Sequence, residues 1–168
     1  MIVISDTTPI ISLLKAGHLE LLHQLYEQVF VPQAVWRELT ENPSYVEEKR
    51  IIETTKFLSA VPVKNAKSVD ILRSVTGLDA GESEALILYD EQNANLLLMD
   101  ERKGRNVAKQ LCIKHIGTAG ILMLAYDKNL VSATEVKACI DTMLTSGIRF
   151  DKKICNTIMA HIGLKILY

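Results

Sequence analysis

The sequence has few of the residues, and none of the patterns, that mark secreted, membrane or zinc-binding proteins. Its 168 residues include only three cysteines, scattered and without a CxxC pair, which suits a reducing cytosol better than a disulfide framework. The four histidines form no HExxH motif or Cys/His pairing, which argues against a zinc site. Apolar runs are too short for a membrane span, and the N-terminus lacks a signal-peptide pattern. We therefore expect a soluble cytoplasmic protein without a membrane partner.

An excess of one charge sign is also missing. The 19 basic and 20 acidic residues give a net charge of −1, which excludes a polycationic nucleic-acid coat but leaves room for a local basic patch. The hydrophobic fraction of 48% excludes disorder as the main state. No repeat or Pro/Gly-rich linker divides the chain. We therefore expect a single domain over residues 1–168, with a helical C-terminal extension at about residues 131–168.

Short apolar runs alternate with helical patterns along the chain, which predicts an α/β fold with a central parallel sheet. Helices are expected between the strands and after the last one, whereas the charged stretch at residues 43–56 is ambiguous. Residues 132–135 match a capping box, and Thr118 is a candidate cap for the helix that follows it. Asp79 is a candidate N-cap for the helix predicted over residues 79–93. The predicted strands are residues 2–5, 29–31, 57–63 (at an edge, because of Pro62), 95–99 and 113–116.

Aspartates directly follow two of the predicted strands. Asp6 comes after the first strand and Asp100 after the fourth. Ligands of doubly wound sheets lie outside the carboxyl ends of the strands, where the strand order reverses. We predict that these two strands are adjacent and parallel, so that the two carboxylates share a crevice. The alternative is that each aspartate only caps the next helix.

Two glutamates accompany apolar rows of predicted helices. Glu82 shares its row with apolar residues that should face the sheet, where a carboxylate is costly unless it is paired or binds a cation. Glu84 lies on a more mixed row and is the weaker candidate. Glu38 lies beside an apolar row of the preceding helix, whereas Glu41 is expected to be solvated. For Glu82 and Glu38, the alternative is a partly exposed helix residue without a special role.

Four stretches, in this order, resemble the PIN-domain superfamily over residues 2 to about 130. The last two stretches, with Gly117-Thr118 downstream, are similar to a prokaryotic branch of predicted nucleic-acid-binding PIN proteins. The stretches are VISDTTPI (residues 3–10), VPQAVWREL (31–39), GESEA (81–85) and LLMDERKGR (97–105).

This resemblance implies a three-layer α/β/α sandwich and a Mg²⁺- or Mn²⁺-dependent ribonuclease. It also implies RNA as substrate and makes a small antitoxin partner plausible, because many such domains are toxins; a homo-oligomer is a further expectation. Glu82 departs from the family pattern, in which the acid at this position is usually Asp. The acids that match the family's catalytic and metal-binding site are Asp6, Glu38, Glu82 and Asp100, with Glu101 as a further candidate.

The residue types support this chemistry independently. Hard divalent cations prefer oxygen ligands, and clustered carboxylates repel one another unless a cation is bound. A bound metal lowers the pKa of water and polarises a phosphate, which suits in-line attack of water on a phosphodiester. Arg102, Arg105 and Lys109 follow at i, i+3 and i+7 and are candidate phosphate contacts, the alternative being a solvated helix face.

Other enzyme classes fit the sequence poorly. A haloacid-dehalogenase-type phosphatase needs an acid two residues after Asp6, where Thr8 stands. The early acidic pair of a phosphorelay receiver is not obvious, GESEA lacks the final glycine of a serine-hydrolase motif, and there is no P-loop or GxGxxG. The alternative that stays open is a non-catalytic PIN-like module that binds nucleic acid or protein.

Overall fold

The computed structural model describes residues 1–164 and contains a five-stranded parallel sheet of order β3-β2-β1-β4-β5. The strand order reverses between β1 and β4, which pair in parallel as predicted. The short strand β3 lies at an edge, also as predicted. The strands are β1 (Val3–Ser5), β2 (Val29–Pro32), β3 (Leu58–Val61), β4 (Leu96–Leu98) and β5 (His115–Ile116).

Helices cover both faces of this sheet, so the three-layer α/β/α prediction is confirmed. The stretch at residues 43–56, left open by the sequence, forms a 3-10 turn and a helix. The helices are α1 (Thr7–Lys15), α2 (Leu21–Tyr26), α3 (Gln33–Glu41), α4 (Val46–Thr54), α5 (Ala66–Thr76), α6 (Ala80–Glu91), α7 (Arg102–Gln110), α8 (Thr118–Asp127), α9 (Ala133–Thr145) and α10 (Lys152–His161).

Two hydrophobic cores follow from the alternation of side chains along the strands. In β1, Val3 belongs to the core beneath α1, α8, α9 and α10, whereas Ile4 belongs to the core beneath α6 and α7. The neighbouring strand β4 alternates in the same way, with Leu97 on the side of α6 and α7. Both faces of β1 and β4 are therefore buried, which explains why these strands read as continuous apolar runs.

The helix starts test several sequence predictions. The capping box at residues 132–135 is confirmed, since Ser132 and Glu135 bond reciprocally at the start of α9. The prediction that Thr118 caps α8 is wrong: Gly117 is the N-cap residue, and Thr118 is the first residue of the helix. The hydroxyl of Thr118 is directed instead to Asp100, which lies at the end of β4.

The C-terminal helices α9 and α10 pack on the same core as α1 and α8. The last four residues of the predicted extension, 165–168, lie outside the described residues. Among residues 1–164, no helix combines the length and the apolar character that crossing a bilayer requires.

Candidate active site

Asp6 lies at the end of β1, beside the point where the strand order reverses. Its backbone amide donates to the carbonyl of Leu98 in β4 at 2.9 Å. Although Asp6 occupies the N-cap position of α1, its side chain makes no capping hydrogen bond, so capping does not explain an aspartate here. The residue is only 4% exposed, and no basic side chain of residues 1–164 forms an ion pair with it.

The surroundings of Asp6 disfavour its charge. The pKa of Asp6 is raised from 3.8 to about 8, chiefly by burial and also by the nearby carboxylates of Asp79, Glu82 and Glu38. The amide of Thr7 acts in the opposite direction by hydrogen bonding to the carboxylate. A buried carboxylate surrounded by other carboxylates is stabilised as an anion only when a cation binds nearby.

Glu38 is fixed beside Asp6 by a hydrogen bond between two elements. The hydroxyl of Thr7, the first residue of α1, donates to Oε2 of Glu38 on α3 at 2.8 Å. Tyr45 lies close to the same acids: burial raises the pKa of its hydroxyl, and the charges of Glu38 and Asp6 add to the effect. By contrast, Glu41 on the same helix is exposed, in keeping with its expected solvation.

Glu82 faces inward as its apolar row predicts, and it is only 6% exposed. It also forms a capping box with Asp79: the amide of Glu82 donates to Asp79 at 2.8 Å, and the amide of Asp79 donates to Oε2 of Glu82 at 3.0 Å. Burial raises the pKa of Glu82 in spite of this hydrogen bond. Glu82 therefore stabilises the start of α6 while it lies among the acids near Asp6.

Asp79 is an acid of this cluster that the sequence suggested only as a helix cap. Gly81 separates it from Asp6: a Cβ at position 81 would lie 3.4 Å from Oδ1 of Asp6 and 3.5 Å from Oδ1 of Asp79. Both carboxylate oxygens therefore lie within van der Waals distance of the same point. An acid three residues before Glu82, at the start of the same helix, was the available sequence signal.

Asp100 is held by a different set of contacts. Its two carboxylate oxygens accept from the amide of Thr118 at 2.7 Å and from the Thr118 hydroxyl at 2.6 Å. A Cβ at Gly117 would lie 2.7 Å from Asp100, so the close approach of the carboxylate requires glycine there. Burial raises the pKa of Asp100, whereas the hydrogen bonds from Thr118 and the charge of Arg105 lower it. Asp100 therefore caps α8, and not the helix that follows it.

The strand register explains why Asp6 and Asp100 have different neighbours. Ser5 pairs with Leu98, so Asp6 corresponds to position 99 and Asp100 lies one residue further along. Glu101 connects the two sets, because its charge raises the pKa of both Glu82 and Asp100. The structure thus places Asp6, Glu38 and Glu82 near one another and near Asp79. Asp100 lies outside this group, and Glu101 is the acid that neighbours both.

A groove with a volume of about 1210 Å³ opens beside Asp100. Its lining comes from the exposed face of α7, from residues 146–151 and α10, and from parts of α1 and α8. Tyr45 and Thr8 also line the groove, which brings it close to the Asp6 cluster. We call this cavity the basic groove.

Lysine and arginine side chains outnumber carboxylates along the basic groove. Arg102, Arg105 and Lys109, which the sequence predicted as phosphate contacts, are all exposed on α7 and line the groove. Lys15 and Arg149 also line it but were not predicted. The basic residues are Lys15, Arg102, Arg105, Lys109 and Arg149, and the acidic ones are Asp100, Glu101 and Asp151.

The acids fit a hard divalent cation in their chemistry, since every donor is a carboxylate oxygen. Within residues 1–164, however, no three acidic, histidine or cysteine side chains already surround a common point as metal ligands. Protein-bound magnesium commonly takes one or two carboxylates and completes its shell with water and substrate phosphate. Asp6 and Asp79, which approach one point over Gly81, are the carboxylates that suit such an arrangement.

Fold and site define a parallel α/β domain with an acidic site where its strand order reverses. A family model described as PIN domain matches residues 2–164, and the chain belongs to this family. The match includes α9 and α10, beyond residue 130, where the resemblance read from the motifs ends. PIN domains are typically nucleases and generally use divalent metals. No match was found among curated proteins or among solved structures.

Proposed function

We propose that this protein is a metal-dependent endoribonuclease that hydrolyses RNA phosphodiesters with Mg²⁺ or Mn²⁺. The observation that carries the proposal is Asp6, a nearly buried carboxylate with its pKa raised to about 8, surrounded by other carboxylates and without an ion-pair partner among residues 1–164. Such a group is costly to the empty protein and becomes favourable when a cation binds.

The proposed roles divide among the acids by their contacts. Asp6 and Asp79 hold the cation, and Thr7 keeps the carboxylate of Glu38 directed toward them. Glu82 contributes from the first turn of α6. When bound, the metal supplies a water of lowered pKa and polarises the scissile phosphate.

Asp100 and Glu101 complete the proposed acid row on the side of the basic groove. Thr118 fixes the orientation of Asp100 with two hydrogen bonds, so its carboxylate is pre-positioned. Arg102, Arg105 and Lys109 contact the RNA phosphates from α7, where exposed guanidinium groups can bind phosphate bidentately.

The wider biology stays a proposal that rests on the family. We propose a cytoplasmic protein that acts as the toxin of a toxin–antitoxin pair and is held by a small antitoxin protein, with self-association as a further property. We also propose that residues 1–168 form one domain, in which α9 and α10 are the C-terminal extension.

The second candidate function is a PIN-like module that binds RNA or protein without cleaving it. Two observations favour it: Glu82 and Asp100 both accept hydrogen bonds from amides at helix starts, and no ready three-ligand site exists within residues 1–164. Purified protein incubated with end-labelled single-stranded RNA distinguishes the two. The ribonuclease cleaves with Mn²⁺ or Mg²⁺ and stops with chelator, whereas the binding module retards the RNA but leaves it intact under every condition.

A further inference from the structure

Part of the lining of the basic groove is the short loop between α9 and α10, and both ends of this loop are fixed. At the end of α9, Gly147 adopts a φ of +82°, its amide donates to Leu144, and the amide of Ile148 donates to Met143 at 3.0 Å. These two bonds form a Schellman motif, which sets the direction of the chain after the helix. At the other end, the side chain of Asp151 caps α10 by accepting from the amide of Lys153.

Between these two caps lie an exposed cation and a half-buried aromatic ring. Arg149 is exposed, and Phe150 packs part of its ring on the core beneath α8, α9 and α10 while it also lines the groove. Tyr45 is a second aromatic side chain of this kind, with Nζ of Lys15 at 5.8 Å from its ring centroid. A ring anchored on one side and open on the other is a suitable platform for a base.

The groove also has the charge and size that suit a strand of nucleic acid. Arg149 lines the same cavity as Arg102, Arg105 and Lys109, so a phosphodiester chain in the groove meets cations from two separate segments. The volume of about 1210 Å³ exceeds the roughly 300–1,000 Å³ of small-molecule sites. Aromatic rings in such channels stack on bases only when the bases are unpaired, because paired bases already stack on each other.

We propose that the α9–α10 loop is a specificity element that selects single-stranded over double-stranded RNA, by stacking a base on Phe150 and contacting a phosphate with Arg149. This inference rests on the proposed function, since it concerns how the same site receives its substrate.

Binding of a fluorescently labelled single strand and of a hairpin duplex, measured by anisotropy in chelator, tests the proposal without cleavage. Phe150→Leu keeps an apolar side chain on the core but removes the aromatic face, so single-strand affinity should fall at least about fivefold and duplex affinity should not change. Phe150→Trp should keep the affinity. Phe57→Leu is the matched control, because Phe57 is likewise half-buried on the same core and does not line the groove.

A second variant keeps the test decisive if Phe150→Leu lowers the thermal stability. Arg149→Ala changes an exposed side chain and should reduce the log–log salt slope of single-strand binding by about 0.7. Unchanged single-strand binding in Phe150→Leu, equal losses for single strand and duplex, or an unchanged slope in Arg149→Ala would each overturn the proposal.

Failure of this inference and failure of the proposed function give different results. If the wild type cleaves RNA with Mn²⁺ while Phe150→Leu binds single strands normally, the ribonuclease stands and the loop has no part in selection. If the wild type never cleaves, yet Phe150→Leu loses single-strand binding selectively, the ribonuclease fails and the loop remains the selecting element.

Discussion

The buried carboxyl of Asp6 should make the stability of the metal-free protein fall as the pH rises. Its pKa is about 8 in the folded protein against an ordinary value of 3.8. The folded state therefore holds this proton more tightly than the unfolded state does. The resulting stabilisation is fully present below about pH 4 and is lost as the pH rises toward about 8.

The size of the effect follows from linkage. One group contributes about 1.4 kcal/mol per pH unit between its two pKa values, so moving from about pH 5.5 to about pH 7.5 costs up to about 3 kcal/mol. For a domain of this size, 1 kcal/mol shifts the melting temperature by about 2–4 °C. The asparagine of Asp6→Asn cannot ionise, so this variant should lack the fall in melting temperature of about 6–12 °C that Asp6 causes in the wild type over this pH range.

Thermal melts in chelator measure this directly. The difference in melting temperature between Asp6→Asn and the wild type should increase in favour of the variant by about 6–12 °C from about pH 5.5 to about pH 7.5. Glu41→Gln is the control, since it neutralises an exposed carboxylate on the neighbouring helix α3 and should follow the wild type. Parallel pH profiles for Asp6→Asn and the wild type would refute the view that the folded protein disfavours the ionised form of Asp6.

Two further outcomes are expected. Replacing Arg102 and Arg105 together by alanine should weaken RNA binding and reduce the log–log salt slope by about 1.4, with metal affinity nearly unchanged, as measured by anisotropy across a salt titration. Asp100→Asn should weaken Mn²⁺ binding in calorimetry and reduce cleavage; loss of the charged partner of Thr118 should also lower the stability by about 1 kcal/mol in chemical denaturation.

Much of the architecture could be predicted from the sequence, because the informative patterns are local. The apolar runs at β1 and β4 identified two strands of the sheet, and Pro62 indicated that the strand predicted at residues 57–63 lies at an edge. Asp79, Ser132 and Glu135 identified two helix starts through their spacing. These features depend on side-chain period and capping chemistry, which a single sequence carries.

The finer arrangement of the acids depends on contacts between distant segments. The one-residue offset between Asp6 and Asp100 follows from the pairing of Ser5 with Leu98, which no local pattern specifies. The two hydrogen bonds from Thr118 to Asp100 join residues 18 positions apart, and they require Gly117 between β5 and α8. The capping box between Asp79 and Glu82, by contrast, is local, and the three-residue spacing of these acids was an available sequence signal.

The α9–α10 part of the groove was missed because it is assembled by packing. Arg149 and Phe150 carry no motif, and their segment reaches the groove only because α9 and α10 pack on α1 and α8. The sequence predicted helices in this region but contained no sign of which surface they would extend.

The ribonuclease proposal is tested most directly by single-turnover cleavage of single-stranded RNA with Mn²⁺ by wild type, Asp6→Asn and Glu41→Gln. Melts should first show that both variants are folded. We expect Asp6→Asn to lose at least about 100-fold in rate, because it removes a proposed direct metal ligand and even indirect partners of a metal site typically cost 10–100-fold. Glu41→Gln should cleave like the wild type. Equal rates for Asp6→Asn and the wild type, or cleavage that persists in chelator, would contradict a metal-dependent site at Asp6.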